Sequence, residues 1–170
     1  PKTSQATYMQ FKEAFDKYKD EYSIVCISGS SKSSGTYQSA VMAKNDTDGD
    51  IHIFDTLNLS LGSGQYVIKA CELIDEGLDA KSIVDGLEAL RESVNLFFVP
   101  DSLEYLKRSG RVSVTTAAIG NMLSLKPVFS VKDGNISLLT KVRGKKNVIH
   151  KLIDLLKEQY DSFEDKNVMI

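Results

Sequence analysis

Apolar and aromatic positions at Tyr8, Phe11, Phe15, Tyr18 and Tyr22 recur at close to helical spacing and predict an amphipathic helix over residues 7–20. Thr7, with Gln10 three positions on, supplies its capping-box start. Ile24-Val25-Cys26-Ile27 is continuously apolar and predicts a buried strand over 23–28. A hydroxyl-rich stretch follows, and Gly35 to Lys44 reads as a helix. Asn45 to Asp50 is a turn cluster, and Ile51–Phe54 a second short strand ending at Asp55-Thr56. Tyr66, Val67, Ala70, Cys71 and Ile74 mark one face of a helix over 63–76 that Gly77 stops. Ile83, Leu87 and Leu90 mark the inner face of another over 80–92. Helix, strand, helix, strand, helix, helix, with both strands apolar throughout, is the α/β pattern of a parallel sheet.

The texture changes after Val94. Asn95–Val99 predicts a strand ended by Pro100, and Asp101-Ser102-Leu103-Glu104 caps a short helix that Gly110 closes. A second short helix is expected from Thr115 to Met122. Pro127–Val131 and Ile136–Val142 flank Lys132-Asp133-Gly134-Asn135, and Asp-Gly between two apolar runs is a strong hairpin signal. Val148, Leu152, Leu155 and Leu156 predict a last helix over 145–160. The fold class read from this order is α/β: a parallel-sheet domain over 1–94, packed on a second, α+β domain over 95–170. With no flexible linker near 93–95, close packing of the two is expected.

The overall balance narrows the partners. A net charge of -2 offers no general attraction to nucleic acid or to anionic membranes, so any electrostatic recognition has to be local. No apolar run approaches the ~20 residues a membrane helix needs, so stable membrane insertion is not expected. Cys26 and Cys71 sit among apolar neighbours and read as small buried hydrophobes, which suits a reducing cytoplasm. His52 and His150 are isolated, and neither a metal nor another cofactor is expected. The chain opens Pro1-Lys2-Thr3 inside a loop-like segment, with no basic-then-apolar leader. It closes on Lys166-Asn167-Val168-Met169-Ile170, which resembles the start of a strand, so a fragment is expected.

Candidate chemistry concentrates in Ser30-Ser31-Lys32-Ser33-Ser34-Gly35-Thr36. A strand leading through hydroxyls and glycine into a helix presents free backbone N–H groups, the positive end of a helix dipole and several hydroxyls at one point. Two readings stay open there: a capped helix start in a solvated loop, or a receptor for a phosphate or carboxylate. In the second, Ser34 or Ser31 would fix an anionic oxygen with the N–H groups of Gly35 and Thr36. The P-loop spacing and a Gly-x-Ser-x-Gly elbow are both absent. Basic runs occur at Lys107-Arg108-Ser109-Gly110-Arg111 and at Lys141-Val142-Arg143-Gly144-Lys145-Lys146. Such runs are usually solvated faces, although arginines at glycine-bearing turns can grip carboxylate or phosphate bidentately.

Taken in order, Thr3-Ser4-Gln5, Ser31 to Ala40, Asp101 to Arg111, Leu125-Lys126-Pro127 and Lys141 to Gly144 resemble the DegV family of bacterial lipid-binding proteins from residue 1 to about 160. The resemblance implies a two-domain protein that holds one long-chain fatty acid in an apolar tunnel between its domains. It also implies a carrier, not an enzyme, that presents the carboxylate to a fatty-acid kinase, whose acyl phosphate feeds phospholipid synthesis. Thr3 and Ser34 match the family's carboxylate-binding Thr and Ser, while Arg108, Arg111 and Arg143 match positions that resemble a kinase-docking face. The family pattern also has an earlier strand-and-helix unit and a later histidine in a Gly-Pro-Gly context, neither of which this sequence contains. Ser33 stands where the pattern commonly has Leu. The competing expectation is a protein that binds or turns over a small phosphorylated ligand at the same loop.

Overall fold

The computed structural model describes residues 3–112, 125–164, 166, 168 and 169. The chain divides into two compact units, one running to Asn95 and including the turn Asp133–Asn135, the other made of Leu96–Lys132 and Ile136–Ile170.

The first unit is built on two parallel strands, β1 (Ile24–Ser28) and β2 (Ile51–Asp55), paired from Ile24↔Ile51 to Ser28↔Asp55. Alternate side chains point to opposite faces of a strand, and both faces here are apolar. Ile24, Cys26, Ile51 and Ile53 join Phe15 and Ala43, which come from α1 (Tyr8–Tyr18) and α2 (Thr36–Asn45). Val25, Ile27 and Phe54 join Tyr66, Ala70, Leu73, Ile83 and Leu87 from α3 (Ser60–Asp75) and α4 (Ala80–Ala89). Helices therefore cover both faces of the sheet, which explains why β1 is apolar up to Ser28 and β2 is apolar apart from His52 and its last residue, Asp55. The Thr7 capping box forms as its sequence predicts, with the Thr7 hydroxyl accepting from Gln10 N–H and the Gln10 side chain accepting from Thr7 N–H.

One predicted helix face is corrected. The buried stripe of α3 passes through Tyr66, Ala70 and Leu73, at i, i+4 and i+7. Val67, Cys71 and Ile74 lie one residue further on, a turn of about 100° around the helix, and all three are exposed. Cys71 is thus a surface thiol. Cys26 is half-buried in β1, and its burial pushes the thiol pKa up.

The second unit carries a separate sheet in the order β3-β4-β5, formed by Leu96–Phe98, Leu125–Lys132 and Asn135–Arg143. β3 runs antiparallel to β4, and Phe98 stacks on its register partner Phe129 with ring centroids 5.5 Å apart. Ser102 precedes α5 (Leu103–Ser109), and its hydroxyl accepts from Glu104 N–H. After a short 3-10 turn, α6 (Val148–Gln159) lays Val148, Leu152 and Leu155 on Val128 and Val142. The helix expected over 115–122 lies outside the described residues.

Candidate functional site

Because β1 and β2 are parallel, their C-terminal ends lie side by side at Ser28 and Asp55. The loops leaving a parallel sheet at that edge are where α/β folds place ligands, and here both loops are polar and tightly organised. Ser30 is fully buried with every polar atom engaged. Its N–H donates to Asn58 O at 2.9 Å, and its carbonyl accepts Ser33 N–H and Ser34 N–H, each at 3.1 Å. Its hydroxyl accepts Lys32 N–H and donates to Gly134 O at 2.7 Å, a carbonyl that also takes the Ser33 hydroxyl at 3.1 Å.

The Gly134 contact needs glycine. Asp133 and Gly134 both have positive φ, +50° and +81°, as a two-residue type I′ hairpin turn requires. A Cβ on Gly134 would lie 2.5 Å from Ser30 Oγ and 2.8 Å from Lys32 Cγ. Left-handed backbone alone costs a non-glycine residue about 1–2 kcal/mol. Gly134→Ala should therefore lower the unfolding free energy measured in urea by at least that much, and a stability equal to wild type would show that the turn is not held against Ser30.

Ser34 sits at the last bend before α2. Its hydroxyl accepts Thr36 N–H at 3.2 Å and lies 2.9 Å from Thr36 Oγ1. Gly35 is the N-cap residue and carries no side chain to occupy the helix end, and the first turn of α2 has no acidic residue to compensate its positive pole. The segment after Thr3 lies directly against this point. Gln5 Nε2 donates to Ser39 Oγ, Ala6 N–H donates to Thr36 Oγ1 at 3.3 Å, and the Gln5 amide packs where a Gly35 side chain would be. Thr3, two residues earlier, is exposed. Ser31, Ser34 and Gly35 thus belong to one hydroxyl-rich turn, and the segment that follows Thr3 packs on it through Gln5 and Ala6.

Two organising residues escaped the sequence reading. Asp55 ends β2, and its Oδ1 accepts both Ser31 N–H at 3.2 Å and Leu57 N–H at 3.0 Å. Asn58 is buried, with Oδ1 accepting Leu59 N–H and Nδ2 donating to Val94 O. Leu57 and Ser60 flank it with φ of +45° and +47°, a backbone conformation that side-chain-bearing residues adopt at a cost. The available signal was Asp55-Thr56-Leu57-Asn58, Asx-type turn formers directly after a strand.

Arg91 braces this edge from beneath. Its guanidinium makes a bidentate pair with Glu88 at 2.8 Å, donates to Asp55 O at 2.9 Å, and lies 5.0 Å from the Phe54 ring centroid. The hydrogen bonds with Arg91 hold the Glu88 carboxyl below its ordinary range, and those same bonds raise Arg91. Burial raises the Tyr66 phenol behind it.

The predicted basic residues lie in the second unit. Arg108 pairs with Glu104 at 2.6 Å on an exposed helix face, and the Arg111 guanidinium bonds to Ser109 O. Val112 bridges Ile136 near the start of β5, whereas Arg143 ends that strand. Seven residues of strand, about 23 Å, therefore separate the neighbourhood of Arg111 from Arg143. A surface using both would be broad, not a single anion clamp. Among the described residues, no group of three or more His, Cys, Asp or Glu side chains could hold a metal ion. Nor is any helix there long and apolar enough to cross a membrane.

Comparison with known proteins meets this geometry from outside. The family model described as "Uncharacterised protein, DegV family" matches residues 1–170. A DegV domain-containing protein of Clostridium acetobutylicum is 37% identical over 172 residues, an alignment covering all of this chain and 62% of the relative. A DegV family protein from Thermus thermophilus, described by its fatty acid binding, superposes with a TM-score of 0.85 at 32% identity, over 93% of this chain and 57% of that one. DegV of Bacillus subtilis, described as a fatty acid binding protein, gives a TM-score of 0.81 at 32% identity, over 94% and 57%. The chain thus spans about three fifths of the length of these relatives. A parallel two-strand sheet with helices on both faces, a separate antiparallel sheet, and a family match along all 170 residues lead to one conclusion: this chain belongs to the DegV family.

Proposed function

We propose that this protein binds a long-chain fatty acid, holds its carboxylate at the Ser34 turn, and presents it to a fatty-acid kinase. The kinase forms the acyl phosphate used in phospholipid synthesis, so the protein itself is a carrier in the cytoplasm. The observation that carries this reading is the turn at the start of α2, where the Ser34 and Thr36 hydroxyls meet beside a side-chain-free Gly35. A carboxylate withdrawn from water must be met by hydrogen bonds. Hydroxyls and helix N-terminal N–H groups meet it without a buried counter-charge. Thr3 lies in the segment packed on that turn through Gln5 and Ala6 and is the second head-group residue. The acyl chain contributes about 0.8 kcal/mol for each CH₂ removed from water, which favours long chains over short ones. Fatty-acid binding in the Thermus thermophilus and Bacillus subtilis proteins supports the same ligand class here. Arg108, Arg111 and Arg143 form the broad basic surface offered to the kinase.

Mass spectrometry of an organic extract of the purified intact protein tests this directly. Stoichiometric long-chain fatty acid is the expected result. No fatty acid in the extract, together with no uptake of added palmitate or oleate, would overturn the proposal. Tight binding of a sugar phosphate would overturn it in favour of a phosphorylated ligand.

A further inference from the structure

We infer that Asp55 is the positioning residue of the head-group turn, setting where Ser34 stands without touching the ligand; the inference rests on the carboxylate reading above. Two loops leave the sheet edge, and one carboxylate ties them together, its Oδ2 also accepting Ser31 N–H at 3.4 Å. Asp55 Oδ1 takes Ser31 N–H from one loop and Leu57 N–H from the other. Ser31 follows Ser30, whose carbonyl holds the N–H groups of Ser33 and Ser34. Fixing Ser31 therefore fixes the bend that aims the Ser34 hydroxyl. The same carboxylate satisfies the N–H of Leu57, whose left-handed backbone would otherwise be free to relax and release Asn58 O from Ser30 N–H. The anchor is itself anchored. The main-chain oxygen of Asp55 accepts from Arg91, and Glu88 holds the Arg91 guanidinium through two hydrogen bonds. Asp55 thus joins α4, through Arg91, to the turn before α2.

An acceptor role and a charge role separate cleanly. Asparagine keeps an oxygen at the Oδ1 position and can take both N–H groups, whereas alanine leaves both without their partner. The test is titration of the delipidated intact protein with the fluorescent fatty acid cis-parinarate. It compares wild type, Asp55→Asn, Asp55→Ala, Ser34→Ala and the Asp55→Ala/Ser34→Ala double variant. Asp55→Ala should weaken binding about tenfold, and Asp55→Asn should stay within about threefold of wild type. The decisive readout is coupling: with Asp55 gone, Ser34 no longer stands in place, so adding Ser34→Ala should cost less than about twofold more. A purely structural role would leave Ser34 contributing the same factor in both backgrounds, and that result overturns the inference. If circular dichroism shows that Asp55→Ala does not fold, Asp55→Glu replaces it, moving the acceptor by one methylene while keeping the charge. Wild-type binding with full affinity in Asp55→Ala defeats this inference alone. No binding by wild type defeats the carboxylate reading along with it.

Discussion

Phe54→Ala should destabilise the first unit by about 3–5 kcal/mol, the usual cost of emptying a buried phenyl site. The ring is 1% exposed and packs against Tyr66 with centroids 5.1 Å apart. Its neighbours Ala70, Leu73, Ile83 and Leu87 come from two helices that cannot easily close on the gap, because each is also committed to the rest of the cluster. Truncation also strips the apolar surface from under the Arg91 guanidinium, leaving a half-buried cation with less to lie on. Domains of ordinary size are stable by only about 5–15 kcal/mol, so the loss is a large share of the total. Urea unfolding followed by circular dichroism should show a much lower midpoint, and Phe54→Leu should recover most of the difference. A loss under about 1 kcal/mol would contradict the packing. Because Phe54 precedes Asp55 in β2, fatty-acid affinity should fall along with stability.

The elements that sequence reading placed well are those where one physical signal dominates. β1 and β2 announce themselves as short, mainly apolar runs, interrupted within β2 only by His52, because helices cover both their faces. The hairpin was legible because a two-residue I′ turn demands positive φ at both positions, and Asp133-Gly134 is among the few pairs that supply it cheaply. The α3 face was misassigned for an equally physical reason. Tyr66 and Val67 are both apolar, as are Ala70 and Cys71, so the stripe can be drawn along either of two lines 100° apart. Only the packing of Leu73 in place of Ile74 distinguishes them.

The candidate site was legible where its chemistry is carried by side-chain type and opaque where it is carried by main-chain accounting. Ser, Gly and Thr ahead of a helix mark either a capped helix start or an anion receptor. Nothing in the sequence says that Ser30, not Ser31 or Ser34, is the fully buried member of the run, since all three are serine. Its burial follows from where Asn58 O and Gly134 O fall in space, and those acceptors stand 28 and 104 residues away. Asp55 is hidden for the same reason. A carboxylate at a strand end reads as a turn former, and its second donor belongs to a loop 24 residues earlier.

Ser34→Ala should weaken fatty-acid binding by about 1–3 kcal/mol, because a carboxylate taken from water would then lack one of its hydrogen-bond donors. The same hydroxyl accepts Thr36 N–H, so the substitution also removes a bond at the start of α2. Loss of ligand contact and loss of that bond at the helix start must therefore be told apart. The methyl ester of the same fatty acid separates them. It keeps the acyl chain but carries no charge, so a head-group role for Ser34 predicts that the variant loses affinity for the acid while binding the ester almost as wild type does. Damage confined to the helix start predicts equal losses for both ligands. Ser34→Thr, which retains the hydroxyl, should restore preference for the acid, although its added methyl must fit a half-buried position. Thr3→Ala should reduce the same acid-over-ester preference if the segment lying on Gly35 supplies the second donor. An unchanged acid-over-ester ratio in Ser34→Ala would remove Ser34 from the site, and with it the link between this turn and the carboxylate.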